Sequence, residues 1–175
     1  MADKTAIIHN YRHRYTLPLL MAGLVIAMLP MMLFREFTPA NELRYLSIAD
    51  EAIRNGQWWA FTNHGIPYAD KPPLYIWCVI LGKLLLGKHL MWFLSLFSII
   101  PACVTALIMD RWTRKELAPN FQTAGTLMLF SCGLFAGMIF TLRMDMMMTM
   151  FIVLALYQFR RLETAESKPT LSKRL

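Results

Sequence analysis

The chain has 175 residues, 57% of them hydrophobic and 17% charged, with a net charge of +7. A soluble domain carries roughly a quarter charged residues, and here charge vanishes over whole segments instead of thinning evenly. The basic residues flank apolar runs and form no stripe interleaved with aromatics, so the positive balance does not indicate nucleic acid.

Residues 1–15 carry Arg12 and Arg14 and read as a cytoplasmic N-terminus, because positive flanks stay inside. Residues 16–34 contain no Asp, Glu, Lys or Arg and are long enough to cross a hydrocarbon core, which takes about 20 helical residues. No small-residue cleavage site follows them, so the first span is expected to be retained. Residues 35–72 then form an external polar loop. Within it, Thr38-Pro39 predicts a helix N-cap with proline at the first helical position. Leu43, Leu46, Ala49 and Ile53 recur at helical spacing, and Asn55-Gly56 supplies the stop. This predicts an amphipathic helix of about four turns lying on the bilayer. Trp58, Trp59 and Phe61 follow as interfacial anchors, and Gly65, Pro67 and Pro72-Pro73 predict an irregular connection.

Residues 73–87 are apolar but only about 15 long and interrupted by Lys83, short of the length of a span. A full crossing would also place Arg111, Arg114 and Lys115 outside, so a juxtamembrane or re-entrant helix is favoured over a span. Residues 90–109 and 117–142 are free of charge and predict two further spans, and residues 146–159 a shorter fourth. The cluster 110–116, Arg160-Arg161 and the tail 161–175 belong on the cytoplasmic side, the tail as a disordered segment. The fold class is therefore an all-α polytopic membrane protein with about four transmembrane helices plus external juxtamembrane helices. Its expected setting is the plasma (inner) membrane, with membrane lipids as partners and no nucleic acid. Cys78, Cys103 and Cys132 read as small core residues without disulfide or metal spacing.

This topology gathers three charged segments on the external face: Asn41–Tyr45, Asp70-Lys71, and Arg143-Met144-Asp145. Glu42 reads as a helix-dipole partner near an N-terminus or as a functional carboxylate. Asp70-Lys71 reads as a solvated ion pair or as a phosphate clamp, the lysine being held by a diproline. Arg143 and Asp145 interrupt an apolar run from 117 to 159, where ionised groups are costly unless paired or exposed to a cavity. They read as a solvated hairpin tip or as a site. His64 lacks a second histidine at ligand spacing, and a surface hydrogen-bonding role is favoured over metal binding with Asp70 or Glu42.

These residues resemble the N-terminal part of the GT-C membrane glycosyltransferases, most closely the lipid-A aminoarabinose transferases and protein O-mannosyltransferases. The likeness rests on an acidic-x-Arg-Tyr signature (Glu42, Arg44, Tyr45) opening the external helix. It rests also on Asp70-Lys71-Pro72-Pro73-Leu74-Tyr75 and on the Arg-x-Asp of Arg143 and Asp145. It covers residues 15–160. The resemblance implies transfer of a sugar from a polyprenyl-phosphate donor to a lipid or protein acceptor outside the membrane. It implies donor-phosphate binding by Lys71, Arg143 and Arg44, catalytic carboxylates at Glu42 and Asp145, and a divalent metal ion at Asp70. Where the family carries Asp as candidate base this chain has Asn41, preceded by Ala40, and an amide takes up no proton as a carboxylate does. Glu42 is then expected to supply the base. The family continues through more spans, so the resemblance also implies a fragment whose partner is the missing C-terminal part. The alternative is a non-catalytic membrane subunit that binds lipid-linked sugar or assists assembly.

Overall fold

The computed structural model describes residues 2–39 and 41–166. Ala40, and the part of the expected disordered tail from residue 167 onward, lie outside the described residues. The protein is all-α apart from one two-stranded hairpin. The helices are α1 (Ala2–Phe34), α2 (Glu42–Asn55), α3 (Pro73–Leu86), α4 (Met91–Glu116), α5 (Pro119–Ser131), α6 (Gly133–Phe140) and α7 (Asp145–Glu166). The strands β1 (Thr62–Asn63) and β2 (Ile66–Pro67) lie between α2 and α3 and pair antiparallel, Thr62 with Pro67 and Asn63 with Ile66.

Among the described residues two helices are long and apolar enough to cross a membrane, Tyr15–Phe34 within α1 and Met91–Arg114 within α4. The single span expected over 117–142 is instead a broken one: α5 and α6 are bent by 52° about Cys132, and together they make a third candidate. Cys132, read as a core residue, is exposed at that break. The fourth expected span, 146–159, is the apolar middle of α7, which packs along α4. Charges at both ends, Asp145 and Arg160-Arg161, hold its uncharged stretch below spanning length.

α3 does not cross. Its first turn packs on α2 through Tyr75 against Tyr45, with ring centroids 5.2 Å apart, and its last turn returns to α2 through Lys83 Nζ, 2.6 Å from Asp50 Oδ1. The helix therefore runs beside α2. The next helix starts where the first one ends, since Arg35 Nη2, one residue beyond α1, lies 3.8 Å from Sδ of Met91, the first residue of α4. At Gly82 the two helices approach so closely that a Cβ would lie 2.8 Å from the Phe93 ring.

Two apolar cores follow from this arrangement. A cap core joins α2, α3 and the head of α4 through Ile48, Ala49, Ala52, Ile76, Val79, Ile80 and Leu94. A bundle core joins α1, α4, α6 and α7 through Met28, Met32, Ile99, Ala102, Ile139 and Met146. They meet at the α6–α7 turn, where Leu142 and Met147 belong to the cap core and Met146 to the bundle. Phe61, expected as a surface anchor with the tryptophans, is buried in the cap core, whereas Trp59 is 82% exposed. At the opposite end of the bundle Arg160 Nη2 lies 3.3 Å from Glu116 Oε1, so the two basic clusters share one side as the charge pattern predicted.

Candidate functional site

The site is assembled where the start of α2, the start of α3 and the α6–α7 turn converge. Its centre is Glu42, a carboxylate in the first turn of α2 that is only 2% exposed. Arg35 Nη2 donates to Oε1 at 2.6 Å, the Thr38 N–H donates to Oε2 at 2.8 Å, and the Leu142 N–H donates to Oε1 at 2.8 Å. The last bond joins residues one hundred apart in sequence. Burial pushes the Glu42 carboxyl up, but the Arg35 bond and the two backbone donors outweigh it, so the group lies below the ordinary carboxylate range. With both oxygens engaged, Glu42 sits as an anchor. Serving as the proton acceptor in place of Asn41 would require it to leave those three donors.

The sequence placed the helix N-cap at Thr38, and the structure places it at Asn41, which is exposed and makes no side-chain cap bond. The Thr38 amide is instead taken by the Glu42 carboxylate, and the Leu43 N–H donates to the Thr38 carbonyl at 3.2 Å. The chain is thereby turned from α1 into α2 by a side chain on the helix itself.

Glu42 fixes the backbone of Leu142, and the next three residues carry the second charged segment. Arg143 Nε lies 2.7 Å from Asp145 Oδ2, a close ion pair. The N–H is buried yet not aligned on that oxygen, so Arg143 keeps an unsatisfied donor among the described residues. Asp145 opens α7, where a carboxylate favours the positive end of the helix dipole. Tyr45 is buried at 5% exposure, and its hydroxyl is pushed up by that burial and by Tyr68, with Arg143, Asp145 and Arg44 also acting on it. Tyr45 therefore reports that the signature on α2 and the Arg143–Asp145 turn share one electrostatic environment.

The third segment enters through Pro72. Asp70 is exposed and Lys71 half-buried, and the solvated ion pair proposed for them does not form among the described residues. Pro72 precedes α3 with a φ of −59°, and Pro73 begins the helix, so the diproline fixes the direction of the chain after Lys71. An apolar cavity of about 350 Å³ opens here, lined by Pro72, Leu74 and Tyr75 on one side and by Met144, Met147, Met148, Phe151, Ile152 and Ala155 on the other. Its α7 wall runs from Met147 to Ala155, about 12 Å of helix. Its lining includes Pro72 and Met144, the sequence neighbours of Lys71 and of Arg143 and Asp145. The methionines of α7 are well suited to such a wall, because their unbranched thioethers adapt to irregular shapes.

Arg44 stands apart from this groove. It lines a second, polar cavity of about 430 Å³ with Pro39, Leu43, Ser47, Asn63 and His64. Among the described residues no three His, Cys, Asp or Glu side chains gather as a metal-binding group.

The sequence missed several members of the site. Tyr68 and the methionines of α7 gave no local signal. Tyr75 was read only as part of a motif, although its aromatic partner Tyr45 belonged to the other motif. The Asp50 carboxylate, which receives Lys83 Nζ and lies 2.6 Å from His89 Nε2, gave no local signal either. In each case the partner is distant in sequence.

No protein-family model matches the chain, and no solved structure matches it. Curated relatives do. The chain is 28% identical over 150 residues to the undecaprenyl phosphate-alpha-4-amino-4-deoxy-L-arabinose arabinosyl transferase 1 of Pseudomonas fluorescens (strain Pf0-1), covering 82% of this chain and 25% of the relative. It is 28% identical over 142 residues to the corresponding transferase of Pseudomonas savastanoi pv. phaseolicola (strain 1448A / Race 6), covering 81% of this chain and 26% of the relative. The chain thus spans about a quarter of the length of the curated relatives it matches. The similarity agrees with the motifs: the chain resembles the N-terminal portion of a GT-C glycosyltransferase, and its likeness is to transferases of a sugar carried on a polyprenyl phosphate.

Proposed function

We propose that the chain forms the donor-lipid-binding part of a membrane glycosyltransferase, which moves a sugar from a polyprenyl phosphate to a lipid or protein acceptor on the external face. The observation that carries this reading is the apolar groove beside α7, whose lining includes Pro72 and Met144, the sequence neighbours of Lys71 and of Arg143 and Asp145. A polyprenyl phosphate needs that combination: a long apolar channel for the hydrocarbon and fixed cations where the phosphate emerges. Lys71 and Arg143 bind the phosphate. Lys71 brings an ammonium with no protein partner among the described residues, and Arg143 brings the unsatisfied Nε–H. As the sugar leaves, negative charge grows on the phosphate, and prepositioned cations stabilise that change without reorganising.

Asp145 is the carboxylate left to face an acceptor, because Glu42 is consumed in holding the turn. In this proposal Asp145 takes the proton of the acceptor hydroxyl as its oxygen attacks the anomeric carbon. The bond to the donor phosphate breaks, and the configuration inverts. Glu42 acts as a positioning residue, and Tyr45 with Tyr75 forms the packed floor between them. The basic clusters joined through Arg160 and Glu116 lie on the cytoplasmic side, together with the N-terminus.

The test is binding of undecaprenyl phosphate to the full chain in nanodiscs. Lys71→Ala is expected to weaken binding about tenfold or more, the worth of a charge-assisted hydrogen bond. Ala155→Trp, which fills the groove from an exposed position, is expected to weaken it while the phosphate site stays intact. Unchanged binding in both variants would remove the lipid-donor reading.

A second reading, a subunit that binds lipid-linked sugar without transferring it, is favoured by the amide at Asn41 together with the saturation of Glu42. Sugar transfer by the complete enzyme separates the two. Loss of transfer in Asp145→Asn with donor binding retained supports catalysis, whereas unaffected transfer assigns the chain to binding alone.

A further inference from the structure

The far end of α4, remote from the groove, carries a buried carboxylate that the donor site does not use. Asp110 lies in the last two turns of α4, inside the apolar stretch Met91–Arg114, and its side chain is only 2% exposed. An ionised group within a span is costly and persists where it is paired or serves a site. Arg114 Nη2 takes Oδ2 at 2.7 Å from one helical turn away, yet Arg114 is itself 49% exposed. Its charge is shared with water, so the pair offsets only part of the cost of burying Asp110.

A small cavity of about 40 Å³ opens beside this carboxylate, between α4 and α5. Asp110 and Thr113 line it from α4, Gly125 and Thr126 from α5, and the rest of its lining is apolar. The polar side chains here offer acceptors alone. Thr113 Oγ1 donates to the Met109 carbonyl at 2.9 Å, and Thr126 Oγ1 donates to the Gln122 carbonyl at 3.1 Å. A hydroxyl carries one hydrogen, so each oxygen has only lone pairs left to give. With the carboxylate they make an acceptor set without a side-chain donor among the described lining residues. Water fits such a set poorly, because it brings two lone pairs that need donors of their own. A cation has no such need.

We propose that this cavity binds a single monovalent cation of about sodium's size. Hard cations take oxygen ligands, and one carboxylate with two hydroxyls suits a single positive charge, whereas calcium sites gather more carboxylate and carbonyl oxygens. A water-sized particle needs about 10–15 Å³ of such space, so the cavity admits the ion together with water to complete its shell. The ion joins α4 to α5 shortly before the bend at Cys132. It binds at the end of the bundle marked by Glu116 and Arg160, and its binding does not depend on the transferase reading.

The experiment is binding of radiolabelled sodium to the full chain in nanodiscs, in choline chloride at fixed ionic strength. The parent chain is expected to bind a single ion that unlabelled sodium displaces and choline does not. Its melting temperature is expected to rise as sodium replaces choline, because a ligand held by the folded state alone stabilises that state. Asp110→Asn keeps the shape and removes the charge, and is expected to weaken binding about tenfold or more. Thr126→Val removes one ligand oxygen at nearly constant volume, with an expected loss of about fivefold. Gly125→Val fills the cavity without touching a ligand. An added Cβ there meets Leu117 Cδ1 at an ordinary 3.6 Å, so this chain is expected to fold and to lose the sodium-dependent rise. Should Asp110→Asn fail to fold, these two variants carry the test. Arg114→Gln removes a competing cation and is expected to bind sodium at least as tightly as the parent. Absence of saturable binding by the parent chain overturns the proposal and leaves water as the occupant. Binding unchanged in both Thr126→Val and Gly125→Val, or weakened in Arg114→Gln, overturns it as well.

Discussion

Two charged regions of the cap lie within a few residues of each other and behave in opposite ways. Around Glu42 every charge is saturated: a guanidinium and two backbone amides consume both carboxylate oxygens in a buried setting. Around Lys71 and Arg143 the charges are held in place but left incomplete, one without a partner among the described residues and one with a misaligned pair. Both regions look alike in sequence, as acidic and basic residues beside apolar runs. Saturation separates a charge that holds the fold from one that waits for a ligand. The first kind should register in stability and the second in binding.

The comparison breaks most readily at Glu42. Glu42→Ala leaves Arg35 and the Leu142 amide without their acceptor, and removing one partner of a buried ion pair costs about 3–5 kcal/mol. The expected outcome is a large fall in thermal stability, together with weakened donor binding because the Arg143 turn loses its anchor. A variant as stable as the parent would show that the anchor is dispensable. The same carboxylate sets a pH dependence. Its folded-state pKa is lowered from 4.5, so its stabilisation is present above that value and is lost as pH falls through the folded-state pKa. Melting temperature recorded from pH 7 to pH 3 should drop below about pH 4.5, and Glu42→Gln should flatten part of that drop.

The opposite signature is expected at Lys71. Lys71→Ala should change stability by no more than about 0.5 kcal/mol, as is usual for a residue away from packed features, while donor affinity falls about tenfold or more. Arg143→Gln is intermediate, because it also strips Asp145 of its ion pair. If Lys71→Ala destabilised the chain as much as Glu42→Ala, saturation would not be the property that divides the regions.

Much of the architecture was legible because it depends on local composition. Uncharged runs located α1 and α4, the break in periodicity at Gly56 ended α2, and the shortness of 73–87 kept α3 within the cap. The bend at Cys132 was not legible: residues 117–142 are uncharged throughout, and no proline or charge marks the place where the helix stops. The hairpin at His64-Gly65 escaped for a related reason, since its turn is imposed by Glu51, eleven residues before Thr62. The charged segments were identified in sequence, but their division of labour was not. Glu42 and Leu142 are joined by a bond across one hundred residues, and only the folded chain shows that the acid is already occupied.

The smallest effect belongs to a carboxylate between the two extremes. Asp50 receives Lys83 Nζ and His89 Nε2 on a single oxygen, each at 2.6 Å, yet its own side chain is 37% exposed. Burial pushes its carboxyl up, and Lys83 and His89 together bring it below the ordinary range. The three groups fasten the middle of α2 to the end of α3 and to the connection into α4, remote from the groove. Water competes for every partner, and partly exposed ion pairs contribute about 1 kcal/mol or less. Asp50→Asn should therefore lower stability by about that much, more at low salt than at high. It should leave undecaprenyl phosphate affinity unchanged, because none of the three groups lines the groove. Partial saturation would then give a partial stability effect and no binding effect, which places Asp50 with Glu42 in kind and far below it in size.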